Sequence, residues 1–365
     1  MKKVLMFSHE FPPALGGAGS VAKRNVTRLT SSGVEVTVLT KNGADDIPGV
    51  TFFKLRVYSK FWFMSYFLFL ISRMRWLREF DEIILNDPAA IYISGLCMPK
   101  DVLDKSIAYM HGSEIENIYE HPNLIKRLQL FGFFFSRGVK GCRNIIFPSK
   151  WLQNKFVTRP KLGAAFLNST VSYAGINRNV FYEVDNDIRE KLLIPKSARF
   201  ILSVSRVIKM KGYPEMYKLF KELHKVDNSF HWVIVGDGDY LNEFKSNVVI
   251  DGLSGYIHTV GSLPQAELRN YYSAADIFVL LSKFEEAYGL VYLEAAASGT
   301  PCIALNKGGV GEAILDGKTG FVVDDINDCY KILISGLFQT LKSEDMKVFV
   351  DSVCENYILN LEDLR

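Results

Sequence analysis

Arg206 and Lys211 stand five residues apart in Ser205-Arg206-Val207-Ile208-Lys209-Met210-Lys211-Gly212, just past the apolar run Phe200 to Val204. In open α/β sheets, ligands bind beyond the carboxyl ends of strands. A guanidinium fork and an ammonium point charge at such a place suit a diphosphate. Two solvated surface cations are the plainer alternative, and position counts against it. Glu286 and Glu294 lie eight residues apart, the first just after the strand-like run Ile277 to Leu281. The second falls on the helix that follows, among Leu293, Ala295, Ala296 and Ala297. A carboxylate there is costly to bury unless it accepts hydrogen bonds, which sugar or ribose hydroxyls would supply. An exposed helix face is the alternative.

A histidine follows another apolar run, in Tyr109-Met110-His111-Gly112-Ser113-Glu114. A lone histidine is more often structural, but a strand end is where an imidazole could act on a ligand. His9 stands in the same relation to the first run, Val4 to Ser8. Farther on, Gly17-Ala18-Gly19-Ser20-Val21-Ala22 fits the relaxed dinucleotide fingerprint G-x-G-x-x-A. That fingerprint should follow its strand at once, whereas about eight residues intervene here. Thr40 and Lys41 stand where a ribose-binding acid belongs, so NAD is not expected. Glycines at a helix start still let backbone amides approach an anion, helped by the helix dipole. A tight turn that packs the helix on the sheet has equal standing.

To hold these groups at strand ends, the chain must alternate strands with helices. Short apolar runs mark strands at 4–8, 34–40, 50–57, 82–86, 106–110 and 144–148, with helical stretches between them. Residues 174–198 are polar and irregular and mark a domain boundary. A second series follows at 200–204, 231–235, 256–260, 276–281, 301–305 and 320–323, then helices near 325–340 and 343–361. Such alternation implies doubly wound parallel sheets, two in series with a cleft facing their carboxyl ends.

The 365 residues exceed one ordinary domain, and 48% apolar with 23% charged residues suits buried cores. Disorder, collagen and coiled coil are excluded for the whole chain. A net charge of +3 is too balanced to point to nucleic acid. Residues 1–160 nevertheless carry 22 basic and 13 acidic side chains, and residues 161–365 carry 21 and 27. The basic half suggests a surface facing an anionic partner. The five cysteines form no Cys-x-x-Cys pair, and no signal peptide precedes the first strand, so a reducing cytoplasm is expected. The longest apolar run, Phe61 to Ile71, would span roughly 16 Å as a helix, too short to cross a bilayer. Arg73, Arg75 and Arg78 follow it, and Lys126, Arg127, Arg137 and Lys140 flank a second cluster, Leu128 to Phe135. Apolar side chains beside cations suit an anionic membrane surface, and buried helices with basic edges are the alternative.

The second half resembles the retaining, nucleotide-sugar-dependent glycosyltransferases of the GT-B fold, in their large fourth family. The resemblance rests on R-x4-K-G at 206–212, Val235-Gly236-Asp237-Gly238, Val260-Gly261 and E-x7-E at 286–294. It continues through Ala295 to Cys302, Gly308 to Glu312 and Asp316 to Gly320. The first half matches more loosely, through Pro13, Gly16-Gly17, His111-Gly112 and Ser149. Ser205, Tyr288 and Ala174-Gly175-Ile176-Asn177 depart from the usual residues.

The resemblance implies two Rossmann-like domains, residues 1–173 for the acceptor and 174–344 for the donor, with 345–365 returning to the first. It implies that Arg206 and Lys211 hold the donor diphosphate, that Glu286 meets the donor sugar and that Glu294 meets the ribose. Gly16, Gly17, Gly261, Gly289 and Leu290 join the donor site, and His111 lies beside the sugar. Glu286, His111, Arg206 and Lys211 are then the catalytic set. The donor would be UDP- or GDP-linked, with no other cofactor, and the acceptor a saccharide or lipid-linked saccharide. No Asp-x-Asp motif is read in the chain, so metal dependence is not expected. A cytoplasmic protein, peripheral on the membrane's cytoplasmic face, follows. A GT-B epimerase or hydrolase, or a non-catalytic binding subunit, are the competing functions.

Overall fold

The structure is a computed structural model that describes residues 1–13, 17–58, 61–112, 114–159, 166 and 168–355. The chain divides after Ser172 into two compact units. The first holds seven strands: β1 (Lys3–Phe7), β2 (Glu35–Lys41), β3 (Thr51–Leu55), β4 (Glu82–Leu85), β5 (Ser106–Tyr109), β6 (Asn144–Phe147) and β7 (Ser169–Val171). Their order is β3-β2-β1-β4-β5-β6-β7, all parallel. Val4 to Phe7 pair with Val36 to Leu39 on one side and Glu82 to Leu85 on the other. Val4 to Phe7 are wholly buried, which is why they read as an unbroken apolar run. β7 is the strand that the sequence reading omits. Its Ser-Thr-Val is short, partly exposed and carries no apolar run.

On this unit's helical layer, the Pro88–Cys97 helix opens on Pro88, and Asp87 caps it by accepting from the Ala90 amide at 2.9 Å. It packs between the Trp62–Ser72 and Phe131–Gly141 helices. Tyr92 joins all three, stacked on Phe131 at 4.2 Å and edge-on to Phe63 at 6.2 Å. Each large side chain so buried contributes about 1.5–3 kcal/mol. Among the described residues no helix is long and apolar enough to cross a membrane.

The second unit holds β8 (Arg199–Val204), β9 (Phe230–Val235), β10 (Ile257–Gly261), β11 (Ile277–Leu280), β12 (Cys302–Leu305) and β13 (Gly320–Val323). Their order is β10-β9-β8-β11-β12-β13, again parallel. Trp232, Tyr213, Phe220 and Phe244 anchor its core on one face. The crossover after β8 runs to β9 and the one after β11 runs to β12, in opposite directions across the sheet, so the strand order reverses between β8 and β11. That switch point is where a ligand crevice opens in such sheets. The Ser343–Glu355 helix packs on the Leu290–Ala297 helix inside this unit. The expected return of 345–365 to the first domain falls partly on residues 356–365, which lie outside the described residues.

Candidate active site

Arg206 and Lys211 leave the switch point on a loop held at both ends. The Val207 amide donates to the Asp237 carbonyl at 2.9 Å, and Tyr240 returns a bond to the Val207 carbonyl at 3.0 Å. Gly236 passes so close that a Cβ there would lie 1.9 Å from the Ser205 carbonyl oxygen. Val207 is buried while Arg206 is exposed, so the guanidinium stands out from a fixed backbone. Lys211 ends a 3-10 turn (Lys209–Lys211) closed by Gly212 at φ 82°. A Cβ on Gly212 would fall 2.0 Å from the Leu281 carbonyl oxygen. Only glycine allows both that backbone and that approach, which seat Lys211 against the end of β11.

Lys211 meets Glu286 there. Its Nζ lies 2.5 Å from Glu286 Oε1, and Ser282 Oγ donates to the same oxygen at 2.7 Å. The two side chains are 15% and 19% exposed, and the Phe284 ring lies 5.6 Å from the ammonium. A pair so sheltered from water is electrostatically stronger than a surface one. Of the two adjacent acids, Glu286 turns inward, bridging to Gly308 and accepting the Gly309 amide on its carbonyl at 2.7 Å, while Glu285 is exposed. The family resemblance implies the diphosphate for Lys211 and the sugar for Glu286; the two side chains meet at one place.

Gly289, in the left-handed region, opens the Leu290–Ala297 helix without a side-chain cap. Its first amides at Leu290 therefore lack an internal acceptor and suit an anion. Glu294, on that helix, is 7% exposed. Tyr272 donates to its Oε2 at 3.1 Å. Burial first, and the Glu294 charge second, push the Tyr272 hydroxyl well above its ordinary pKa, so it stays protonated and donating. Tyr272 is absent from the sequence reading; it lies on another helix, and spacing carries no sign of the contact. Gly261, at φ 88°, accepts the Gly236 amide on its carbonyl at 2.8 Å and so borders the Arg206 loop.

Asp237-Gly238-Asp239 and Asp185-Asn186-Asp187 both have Asp-x-Asp spacing, contrary to the expectation that the chain lacks it. Asp237 Oδ1 is engaged by the Gly238 amide at 2.7 Å. Among the described residues no group of three or more His, Cys, Asp and Glu side chains is placed to hold a metal ion.

In the first unit, His111 follows β5. Glu114, 1% exposed, accepts the His111 and Gly112 amides at 2.6 and 2.7 Å and fixes the turn. His111 Nε2 donates to the Asn86 carbonyl. Asn86 in turn donates to Ser8 Oγ at 3.0 Å and to the Ala18 carbonyl at 2.9 Å. The buried Asp87 accepts from Ser8 Oγ and from the Glu10 amide, both at 3.0 Å. His9 meets Tyr66 Oη at 3.2 Å, and burial lowers its pKa. Glu10, unassigned by the sequence reading, has its carboxyl raised by burial and then by Asp87. Gly17 opens the Gly17–Ser31 helix, and a Cβ there would meet nothing within 4 Å. Gly16 lies outside the described residues. β2 ends in Thr40 and Lys41, with no carboxylate to hold a dinucleotide ribose.

Residues 184–329 match the family described as glycosyl transferases group 1. The chain is 26% identical to alpha-monoglucosyldiacylglycerol synthase of Acholeplasma laidlawii over 276 residues, 72% of this chain and 68% of that protein. It is 32% identical over 130 residues to GDP-mannose-dependent alpha-(1-6)-phosphatidylinositol monomannoside mannosyltransferase of Mycolicibacterium smegmatis, spanning 34% of each. The structure of Anabaena HepE in complex with UDP and glucose matches with a TM-score of 0.75 at 17% identity, over 100% of this chain and 99% of that one. Residues 184–329 thus belong to the group 1 glycosyl transferases, and the chain has the GT-B fold.

Proposed function

We propose that the protein transfers a sugar from a nucleoside diphosphate, UDP- or GDP-linked, to an acceptor hydroxyl with retention of anomeric configuration. The observation that carries this reading is the sheltered Lys211–Glu286 pair at the switch point, with Arg206 beside it on a fixed loop. Lys211 and Arg206 take the diphosphate, Glu286 and His111 the sugar, Glu294 the ribose, and the Gly289–Leu290 amides the anionic groups. In the transfer, the sugar–phosphate C–O bond breaks as the acceptor oxygen bonds to the same carbon on the same face. The acceptor proton passes to the departing diphosphate oxygen. The protein positions the two reactants and stabilises charge on the leaving group. The reading needs neither a metal nor a further cofactor.

The acceptor is a saccharide or a lipid-linked saccharide, in glycolipid or surface-polysaccharide synthesis. A relative named as a monoglucosyldiacylglycerol synthase and one named as a phosphatidylinositol monomannoside mannosyltransferase support this. A first unit resting on the cytoplasmic face of an anionic membrane suits such an acceptor. A panel of UDP- and GDP-sugars, followed by NMR of donor and product, tests the reading. Transfer with retained configuration in the presence of a chelator is expected. Epimerised or hydrolysed donor with no acceptor present would replace it with the epimerase or hydrolase reading.

A further inference from the structure

The first unit carries two stripes of exposed apolar side chains. On the Trp62–Ser72 helix and its cap, Phe61, Met64, Leu68 and Ile71 are 65%, 38%, 60% and 48% exposed. Their helical spacing puts them on one face, opposite the buried Tyr66 and Leu70. The second stripe runs from Leu124 through Leu128 and Leu130 to Phe133, the last 65% exposed. On the Phe131–Gly141 helix, Phe133, Arg137 and Lys140 recur at helical spacing, so this stripe passes from apolar to cationic along one face.

The cationic end borders a cavity of about 470 Å³, lined by Lys100, Leu103, Phe133, Ser136, Arg137 and Lys140, with Asp104 its one acid. Arg137 is committed: its guanidinium caps the Pro88–Cys97 helix at the Gly95 and Met98 carbonyls. Lys100 and Lys140 are exposed and make no ion pair among the described residues. The cavity lies near the amino ends of β5 and β6, away from the carboxyl ends where His111 stands. The transfer chemistry proposed above has no use for it.

We infer that this cavity seats the phosphate of an anionic lipid while Phe133 and the neighbouring leucines enter the bilayer. Charge complementarity selects that occupant: two uncommitted lysines and an arginine face the cavity against one aspartate, and exposed apolar groups continue from its rim. A protein partner would find the apolar stripe but no reason for the cations. The inference rests on the membrane reading above and narrows it to named residues.

Flotation with phosphatidylcholine vesicles, with and without phosphatidylglycerol, tests it on the full chain. Wild type is expected to float with the anionic vesicles alone. Lys100→Gln/Lys140→Gln should weaken that binding by roughly thirty-fold, the loss for two lysines near an anionic surface. Lys218→Gln/Lys245→Gln, which removes the same charge from the second unit, should not. Circular dichroism and nucleotide binding should be unchanged in both. If the cavity variant floats like wild type, the cavity assignment fails and the membrane reading stands. If wild type floats with neither vesicle, both fail. If millimolar inorganic phosphate raises the melting temperature of wild type but not of the cavity variant, yet leaves flotation undiminished, the cavity is a free-phosphate site and the inference is overturned.

Discussion

The two sheets share a topology type but hold their polar groups differently. In the second unit, the reactive side chains come from two short segments, 205–212 and 282–294, each locked by a close backbone approach or a left-handed glycine. In the first unit, Ser8, Glu10, Asn86, Asp87 and His111 come from the ends of three strands and meet through hydrogen bonds to one another. The first arrangement is a pair of motifs and the second is a network. A motif survives as a pattern of spacing, whereas a network exists only once the sheet has formed.

The sharpest way to break this contrast is to remove the motif's cations. Arg206→Ala and Lys211→Ala should each lower turnover at saturating donor on the order of 10²–10³, as for loss of one preorganised oxyanion donor. Donor binding should weaken less, because negative charge on the leaving group peaks in the transition state. Arg206→Lys should rescue only in part, since an ammonium lacks the planar fork. The checks are kcat and the donor Kd, measured side by side.

Gly212→Ala should damage the motif without touching a charged group. Its φ of 82° and the approach of Leu281 leave no room for a methyl group. A loss of about 1–3 kcal/mol is expected from backbone strain, read in urea unfolding together with the fall in turnover.

Glu294→Ala should weaken binding of the nucleoside diphosphate alone by about 1.5–3 kcal/mol, the range for a hydrogen bond to a charged group. Tyr272→Phe should cost about 0.5–1.5 kcal/mol, because it releases Glu294 rather than removing it. Glu286→Ala should leave nucleotide affinity nearly intact and impair transfer. Calorimetry with the nucleotide alone separates the three.

The last effect concerns neither site. His231 Nδ1 and His258 Nε2 lie 3.2 Å apart on β9 and β10. Burial, then the His258 charge, pushes His231 from 6.5 down to about 4. Below pH 6.5 the unfolded chain takes up a proton that the native chain refuses. Stability from this group is therefore full above 6.5, declines toward pH 4 and levels off below it. Protection of the Phe230–Val235 amides against hydrogen exchange, relative to the intrinsic rate at each pH, should fall over that window, and His231→Phe should flatten the change.

Twelve strands of the two sheets were legible because buried parallel strands are continuous apolar runs. β7 was not, since Ser169, Thr170 and Val171 read as loop. Arg206, Lys211, Glu286 and Glu294 were legible as short spacings after strands. Their partners were less so. Tyr272 reaches Glu294 across 22 positions, and Ser282 carries no signal until Glu286 is known to turn inward. Glu10 and Asp87 matter through burial, which a loop residue's identity does not announce. Asp237 was read only as part of a glycine-rich segment, whereas its carbonyl holds the Arg206 loop.

The central claim is that Lys211 and Glu286 work as one unit, although the family resemblance implies separate tasks for them. A double-mutant cycle on kcat at saturating donor tests it, with Lys211→Ala, Glu286→Ala and the double variant, each verified as folded. The account predicts a double variant little worse than the poorer single one, with a coupling of about 1–3 kcal/mol. Losses that add to within about 0.5 kcal/mol would show two independent residues and contradict it.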